Sequence, residues 1–150
     1  MTWSLRVAGL LAMSVLVLAS CSLGSTESVF ELEPGDCFDD LFEEGEYVEE
    51  SDSLPMVDCS EPHDNEAYAA FEVGGDAYPG LVALDDEAFA GCVPLFEDYV
   101  GTPYEDTTRL QIMWLAPTSE SWDEGDREIV CVLYDSRIEK MTGSMRSSGG

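Results

Sequence analysis

Residues 85–101 read DDEAFAGCVPLFEDYVG and decide one layer of the fold. Apolar side chains recur there at intervals of three and four residues, the spacing of one helix face: Phe89, Cys92, Val93, Phe96, Tyr99 and Val100. Asp85 can cap the start of this helix, and Gly101 suits the position after its last turn. Pro94 removes an internal hydrogen bond and predicts a kink or a late start. Cys92 falls on the apolar face, which fits a bond to an underlying strand.

Four short runs on either side of this helix predict strands. They cover residues 54–59, 66–73, 109–116 and 128–134, and the last, EIVCVLY, is rich in β-branched residues and predicts a central strand. Residues 117–126 are interpreted as a connecting turn. The sequence therefore predicts an α+β fold, in which a small antiparallel sheet of three to five strands packs on one main helix.

The N-terminus has the pattern of an export signal. Arg6 precedes an apolar run at residues 7–19, VAGLLAMSVLVLA. This run is shorter than the roughly 20 residues that span a membrane, so a cleaved signal peptide is favoured. Leu18, Ala19, Ser20 and Cys21 then form a lipobox, in which Cys21 receives palmitate-type acyl chains. Membrane lipid is thus a predicted partner. The protein is predicted to be lipid-anchored in the cell membrane and to face the outside of the cytoplasm. A plain secretory signal or an uncleaved anchor is the alternative.

The remaining four cysteines predict two disulfides. Cys37, Cys59, Cys92 and Cys131 are an even number in an exported chain, and they allow three connectivities. We favour Cys37–Cys59 with Cys92–Cys131, which closes successive loops. A zinc site is the alternative, but the spacing lacks C-x-x-C and the chain has one histidine, so neither a metal nor another cofactor is expected.

The charge of the chain is strongly negative. It has 32 Asp plus Glu against 6 Lys plus Arg, a formal net charge of −26. Nucleic acid is therefore excluded as a predicted partner, because no basic patch exists to displace its counterions. A solvated acidic surface is favoured over cation binding or a basic partner. The acidic run at residues 39–52 is interpreted in the same way, since it lacks the ligand pattern of a calcium-binding EF-hand loop.

Two groups of side chains are candidate functional residues. His63 and Glu66 follow Cys59, and an exposed His63 among carboxylates could act as an acid/base or pH-sensing group. The favoured alternative is that His63 caps a turn through a backbone hydrogen bond. Trp122 and Arg127, with Asp126 between them, could form a carbohydrate or peptide platform. There the favoured alternative is that Trp122 fills the sheet edge while Arg127 pairs with an acid.

A set of short motifs in fixed order resembles the septum-formation domain family of actinobacterial membrane and cell-surface proteins. The resemblance covers about residues 34–146 and rests on Gly35-Asp36-Cys37-Phe38, Val57-Asp58-Cys59, Pro62-His63, Glu66, Phe96, Tyr99, Gly101, Pro117, Trp122, Gly125, Arg127, Cys131 and Gly143-Ser144. It implies a role in the cell envelope near the septum, with no assigned reaction, cofactor or catalytic residue. Family members often carry transmembrane helices, whereas this chain carries a lipobox.

These observations give one organisation and one preferred function. Residues 1–20 are the predicted signal peptide, 21–33 the lipidated cysteine and tether, 34–146 the septum-formation-like domain and 147–150 a flexible tail. The preferred function is a non-enzymatic binding or scaffolding domain with an envelope or division protein as a possible partner. The alternatives are an envelope enzyme that uses His63 with a neighbouring carboxylate, and a solute- or cation-binding lipoprotein.

Overall fold

The computed structural model describes residues 26–28, 32–40 and 53–150. The predicted signal peptide, Cys21 and most of the acidic run at residues 39–52 lie outside the described residues. Five strands form the body of one antiparallel sheet, and a three-residue strand extends its edge. In chain order these are β1 (Thr26–Ser28), β2 (Cys37–Phe38), β3 (Ser53–Val57), β4 (Asn65–Glu72), β5 (Leu110–Leu115) and β6 (Glu128–Asp135). The main helix, α1 (Leu81–Val100), connects β4 to β5.

The sheet has the order β1-β3-β2-β4-β6-β5, and each neighbouring pair is antiparallel. The predicted α+β fold is thus confirmed, with β6 between two partners as its sequence indicates. Between Ala67 and Ala69, β4 contains a bulge in which Tyr68 is the extra residue. A bulge changes the side-chain alternation, so Tyr68 and Ala69 both pack toward α1 while Ala67 packs on the opposite face.

The helix begins earlier than the sequence pattern indicates. Its first residue is Leu81, and Gly80 occupies the N-cap position. The prediction that Asp85 caps the helix is wrong: Asp85 lies one turn inside and accepts a hydrogen bond from the Trp114 indole at 3.1 Å. Gly101 ends the helix in the left-handed conformation, as predicted, and its N–H donates to the Glu97 carbonyl.

The buried face of α1 follows a spacing of four residues more closely than three. Leu84, Ala88, Cys92 and Phe96 are all 1% exposed or less and pack on the sheet. Phe89 was expected on this face but is 56% exposed, since it lies to the side of that row. The core on this side of the sheet is centred on Phe96, whose ring meets Tyr68 and Tyr104 edge to face.

Both disulfides have the favoured connectivity. Cys92–Cys131 joins α1 to β6, and Cys37–Cys59 joins β2 to the segment after β3. The bonds close loops with separations of 39 and 22 residues. Loop-closure entropy predicts about 3–4 kcal/mol of stabilisation from each.

A short helix, α2 (Ser119–Glu124), lies in the segment expected to be a turn. Thr118 caps it: its side chain accepts the Ser121 N–H, and the Ser121 hydroxyl accepts the Thr118 N–H in return. This reciprocal pair satisfies backbone donors that a helix of this length leaves free. Thr118 is therefore the N-cap that starts a helix within the segment predicted to be a turn.

The C-terminal residues run back along the end of α1. The sequence predicts a flexible tail at 147–150, yet the Ser147 and Gly149 N–H groups donate to the carbonyls of Tyr99 and Val100 at 2.8 and 2.9 Å. The Gly149 carbonyl accepts the Thr102 hydroxyl. Within the described part of the chain, no helix is both long and apolar enough to cross a membrane.

Candidate functional site

His63 lies in the turn that leads into β4 and is fully buried. Its backbone pairs with Met141 through two hydrogen bonds of 3.0 and 2.8 Å, so the chain segment after β6 covers it. The alternative of an exposed histidine is wrong, since the segment that covers His63 lies almost 80 residues further along the sequence and gives no local signal. The imidazole Nδ1 lies 2.9 Å from the Glu61 carbonyl oxygen. This is the kind of backbone hydrogen bond that the turn-capping interpretation predicts.

That backbone contact defines the state of the imidazole ring. A carbonyl oxygen only accepts hydrogen bonds, so Nδ1 carries a hydrogen, and in the neutral form of the ring the lone pair is at Nε2. His63 Nε2 is buried and has no hydrogen-bond partner among residues 26–28, 32–40 and 53–150. A buried polar atom without a partner costs free energy, commonly about 1–3 kcal/mol, and points to a role beyond packing.

Glu66 is a fully buried carboxylate that is held by three donors. Its Oε1 accepts the hydroxyl of Tyr99 at 2.6 Å and that of Ser144, and its Oε2 accepts the Met145 N–H at 2.7 Å. Burial first, and then the hydrogen bond to Glu66, raise the pKa of Tyr99 to about 12. Glu66 therefore ties β4 to the end of α1 and to the C-terminal segment.

The pairing of β2 with β4 places a third side chain, that of Cys37, next to His63 and Glu66. Cys37 on β2 is the direct cross-strand partner of Glu66 on β4. One ligand-type atom from each of Cys37, His63 and Glu66 lies within 4.8 Å of the other two, and all three residues are buried. The sulfur of Cys37 is bonded to Cys59, so the described state is a disulfide packed against a histidine and a carboxylate.

Trp122 and Arg127 do come together, but as packing partners. The Arg127 guanidinium lies 3.8 Å from the Trp122 ring centroid. The indole is only 2% exposed and its other neighbour is Tyr78, so it offers no open platform. Arg127 donates to the carbonyls of Trp122 and Asp126 at 2.7 and 2.6 Å. Among residues 26–28, 32–40 and 53–150, the acceptors of its guanidinium are backbone carbonyls, and the predicted pairing with an acid is not seen there.

An acidic cleft of about 420 Å³ opens beside this pair. Its walls include Arg127 and the carboxylates of Glu72, Glu124, Asp126 and Glu128. Burial raises the pKa of Glu128, and the nearby Asp126 and Glu72 raise it further. The cleft therefore concentrates negative charge where β4 ends and β6 begins.

Asp135 is a buried ionic centre that sequence reasoning missed. It ends β6 and accepts hydrogen bonds from the side chains of Arg109 and Arg137 and from the Arg137 N–H. The Arg109 hydrogen bond lowers the pKa of Asp135 to about 2, against the opposing effect of burial. No local motif indicates this group, since Arg109 lies 26 residues away.

Lys140 partly neutralises two aspartates, Asp39 at the start of the acidic run and Asp64 in the turn before β4. Lys140 Nζ lies 2.6 Å from Asp39 and 3.4 Å from Asp64. The Asp64 N–H donates to Asp39, and the Asp40 N–H donates to Asp64. These carboxylates therefore accept hydrogen bonds from backbone N–H groups. Calcium binding by the acidic run at residues 39–52 concerns residues that lie mostly outside the described ranges.

Comparison with known proteins assigns this small disulfide-bonded α+β domain to a protein family. A family model described as septum formation matches residues 34–148. The chain belongs to this septum formation family. The match covers nearly all of the described domain, including both disulfides and the His63–Glu66 turn. No curated protein and no solved structure matches the chain.

Proposed function

We propose that this protein is a lipid-anchored envelope component that serves septum formation through a binding or scaffolding domain. The observation that carries the proposal is the family match across residues 34–148, which spans nearly all of the described disulfide-bonded domain. The proposed partner is another protein of the envelope or division machinery. A domain that connects a membrane to such a partner requires a stable anchor and a rigid body.

The anchor is supported by the order of the N-terminal sequence. The apolar run at residues 7–19 ends within the lipobox Leu18-Ala19-Ser20-Cys21. Each buried methylene of an acyl chain contributes about 0.8 kcal/mol, so two or three chains on Cys21 hold the protein stably. The two disulfides fit the oxidising compartment that this route reaches.

The non-enzymatic role is supported by the way the candidate residues are used. His63 is closed off under the segment that contains Met141, and Glu66 accepts three hydrogen bonds. Trp122 is buried, and Arg127 is bound to backbone carbonyls. An acid/base mechanism would need His63 to meet a substrate, whereas its present contacts stabilise the fold.

The proposal is tested by microscopy and fractionation in the native host. The full chain carries an extracytoplasmically folding fluorescent protein after Gly150, and Cys21→Ser removes the lipid acceptor while Ser22→Ala is the matched control. We expect wild type and Ser22→Ala in the membrane fraction with enrichment at septa, and Cys21→Ser released from the membrane. Uniform distribution together with normal septa in a deletion strain would contradict the division role. A soluble wild-type protein would contradict the anchor.

A further inference from the structure

We infer that the Cys37–Cys59 disulfide closes a metal site, and that its reduction by a dithiol opens this site to a zinc ion bound by Cys37, Cys59, His63 and Glu66. The inference concerns the buried cluster described above and does not depend on the proposed role in septum formation. It assigns a use to His63 Nε2, which has no hydrogen-bond partner among the described residues, and to the carboxylate beside it.

His63 is arranged as a metal ligand. The Glu61 carbonyl accepts from Nδ1 at 2.9 Å, which leaves the Nε2 lone pair for coordination. Metal-binding histidines commonly donate their other ring N–H to a carbonyl or a carboxylate in this way, which fixes the tautomer and the ring orientation. The lone pair at Nε2 is buried and has no partner in the part of the chain that the structure describes, so binding a cation there displaces no hydrogen bond among those residues.

The other ligand atoms are close and of the correct chemical type. Ligand atoms of Cys37, His63 and Glu66 lie within 4.8 Å of one another, and Cys59 is covalently joined to Cys37. Glu66 Oε2 accepts one hydrogen bond, from Met145, and a carboxylate oxygen has a second lone pair. Two thiolates, an imidazole and a carboxylate favour zinc over calcium or magnesium, which prefer oxygen ligands alone.

The disulfide determines whether these ligands are available. A thiolate of the dithiol attacks Cys59 Sγ and expels Cys37 as a thiolate. The second sulfur of the dithiol then displaces Cys59 and closes the reductant's own disulfide. Two electrons and two protons pass from the dithiol to the cysteines, and zinc then displaces those two protons to solvent. The freed sulfurs separate by side-chain rotation to positions around a tetrahedral ion.

Accessibility makes this disulfide the one that reacts first. Cys59 is partly exposed in the turn after β3, whereas Cys92 and Cys131 are both 0% exposed between α1 and β6. Attack by a dithiol requires access to a sulfur. Native-state reduction is therefore expected to open Cys37–Cys59 while Cys92–Cys131 still holds the helix on the sheet.

The experiment compares the full chain, purified in detergent, before and after treatment with dithiothreitol and its removal under anaerobic conditions. Co²⁺ is the spectroscopic probe and Zn²⁺ the competitor. The reduced protein should bind one Co²⁺ with thiolate charge-transfer and tetrahedral d–d absorption, which Zn²⁺ abolishes. The oxidised protein should show neither band. Alkylation followed by peptide mapping should show that Zn²⁺ protects Cys37 and Cys59.

Two variants separate the site from general cation binding by an acidic chain. His63→Gln should weaken metal binding by more than about tenfold, while Glu61→Gln, which keeps the carbonyl contact and changes only an exposed carboxylate, should bind as wild type. Absence of a cobalt–thiolate band in the reduced wild-type protein would overturn the inference. So would equal affinity of His63→Gln and Glu61→Gln. If His63→Gln does not fold, unprotected Cys37 and Cys59 in zinc-treated wild type would overturn it equally.

Discussion

At the scale of single residues, buried polar groups hold together segments that are far apart in the sequence. Glu66 joins β4 to Ser144 and Met145, 78 and 79 residues away. His63 pairs with Met141 in the same region. Each bond replaces water around a buried polar atom, so losing one partner leaves the other unsatisfied. These residues therefore contribute to stability through completed networks.

Replacing Glu66 with glutamine tests this network. The amide nitrogen of Gln is a donor, so it faces another donor where Glu66 now accepts from Tyr99, Ser144 and Met145. We expect Glu66→Gln to lower the free energy of unfolding by about 1–3 kcal/mol, measured by urea denaturation. Glu61→Gln, on an exposed side chain of the same turn, is the matched control. Equal stability of the two variants would show that the network contributes nothing.

Asp135 predicts a dependence of stability on acid. Its folded pKa of about 2 lies below the value of about 3.9 for an unfolded aspartate. A lowered folded pKa gives stability that is present above the unfolded value and is lost as pH falls through the folded value. The gap in unfolding free energy between wild type and Asp135→Asn should therefore shrink between about pH 5 and about pH 2. A gap that is constant across this range would contradict the assignment; Asp123→Asn, on an exposed carboxylate, is the control.

At the scale of elements, α1 lies close to β4 because Gly91 faces Phe71. A Cβ at Gly91 would come within 3.0 Å of three carbons of the Phe71 ring. Alanine at this position gains about 1 kcal/mol in helix propensity over glycine. It also forces the ring or the helix to move, and overpacking costs about 1–3 kcal/mol. The small residue thus allows the helix to approach the strand.

A double-mutant cycle tests this contact. Gly91→Ala should destabilise the wild-type protein, because the clash with Phe71 exceeds the gain in helix propensity. In a Phe71→Ala background the same change should stabilise, since the ring is gone. Thermal or urea unfolding of the four proteins gives the coupling free energy. A Gly91→Ala effect of equal size in both backgrounds would show that Phe71 does not restrict this position.

The elements also show how far the sequence predicts the structure. The α1 periodicity, the alternating strand segments and the even cysteine count led to the correct fold class and connectivity, because these signals are local or combinatorial. Helix α2 was missed, since its start depends on a reciprocal Thr118–Ser121 cap within turn-like composition. The burial of His63, the partners of Glu66 and the pairing of Asp135 with Arg109 depend on tertiary contacts and leave no local signal.

At the scale of the whole molecule, two disulfides and the C-terminal segment hold the domain together. Cys92–Cys131 fixes α1 on β6, and Cys37–Cys59 fixes β2 to the segment after β3. The C-terminal residues complete the body through hydrogen bonds to the end of α1. A net charge of −26 opposes compaction by self-repulsion, and these covalent closures offset that cost. Such a body is suited to act as a rigid unit on a tether.

The most direct measurement is the intact mass of the protein from its native membrane, with and without reductant before alkylation. The account predicts a chain that begins at Cys21, carries acyl chains and adds alkyl groups at Cys37, Cys59, Cys92 and Cys131 only after reduction. A chain that retains residues 1–20, or that alkylates at these four cysteines without reductant, would contradict it.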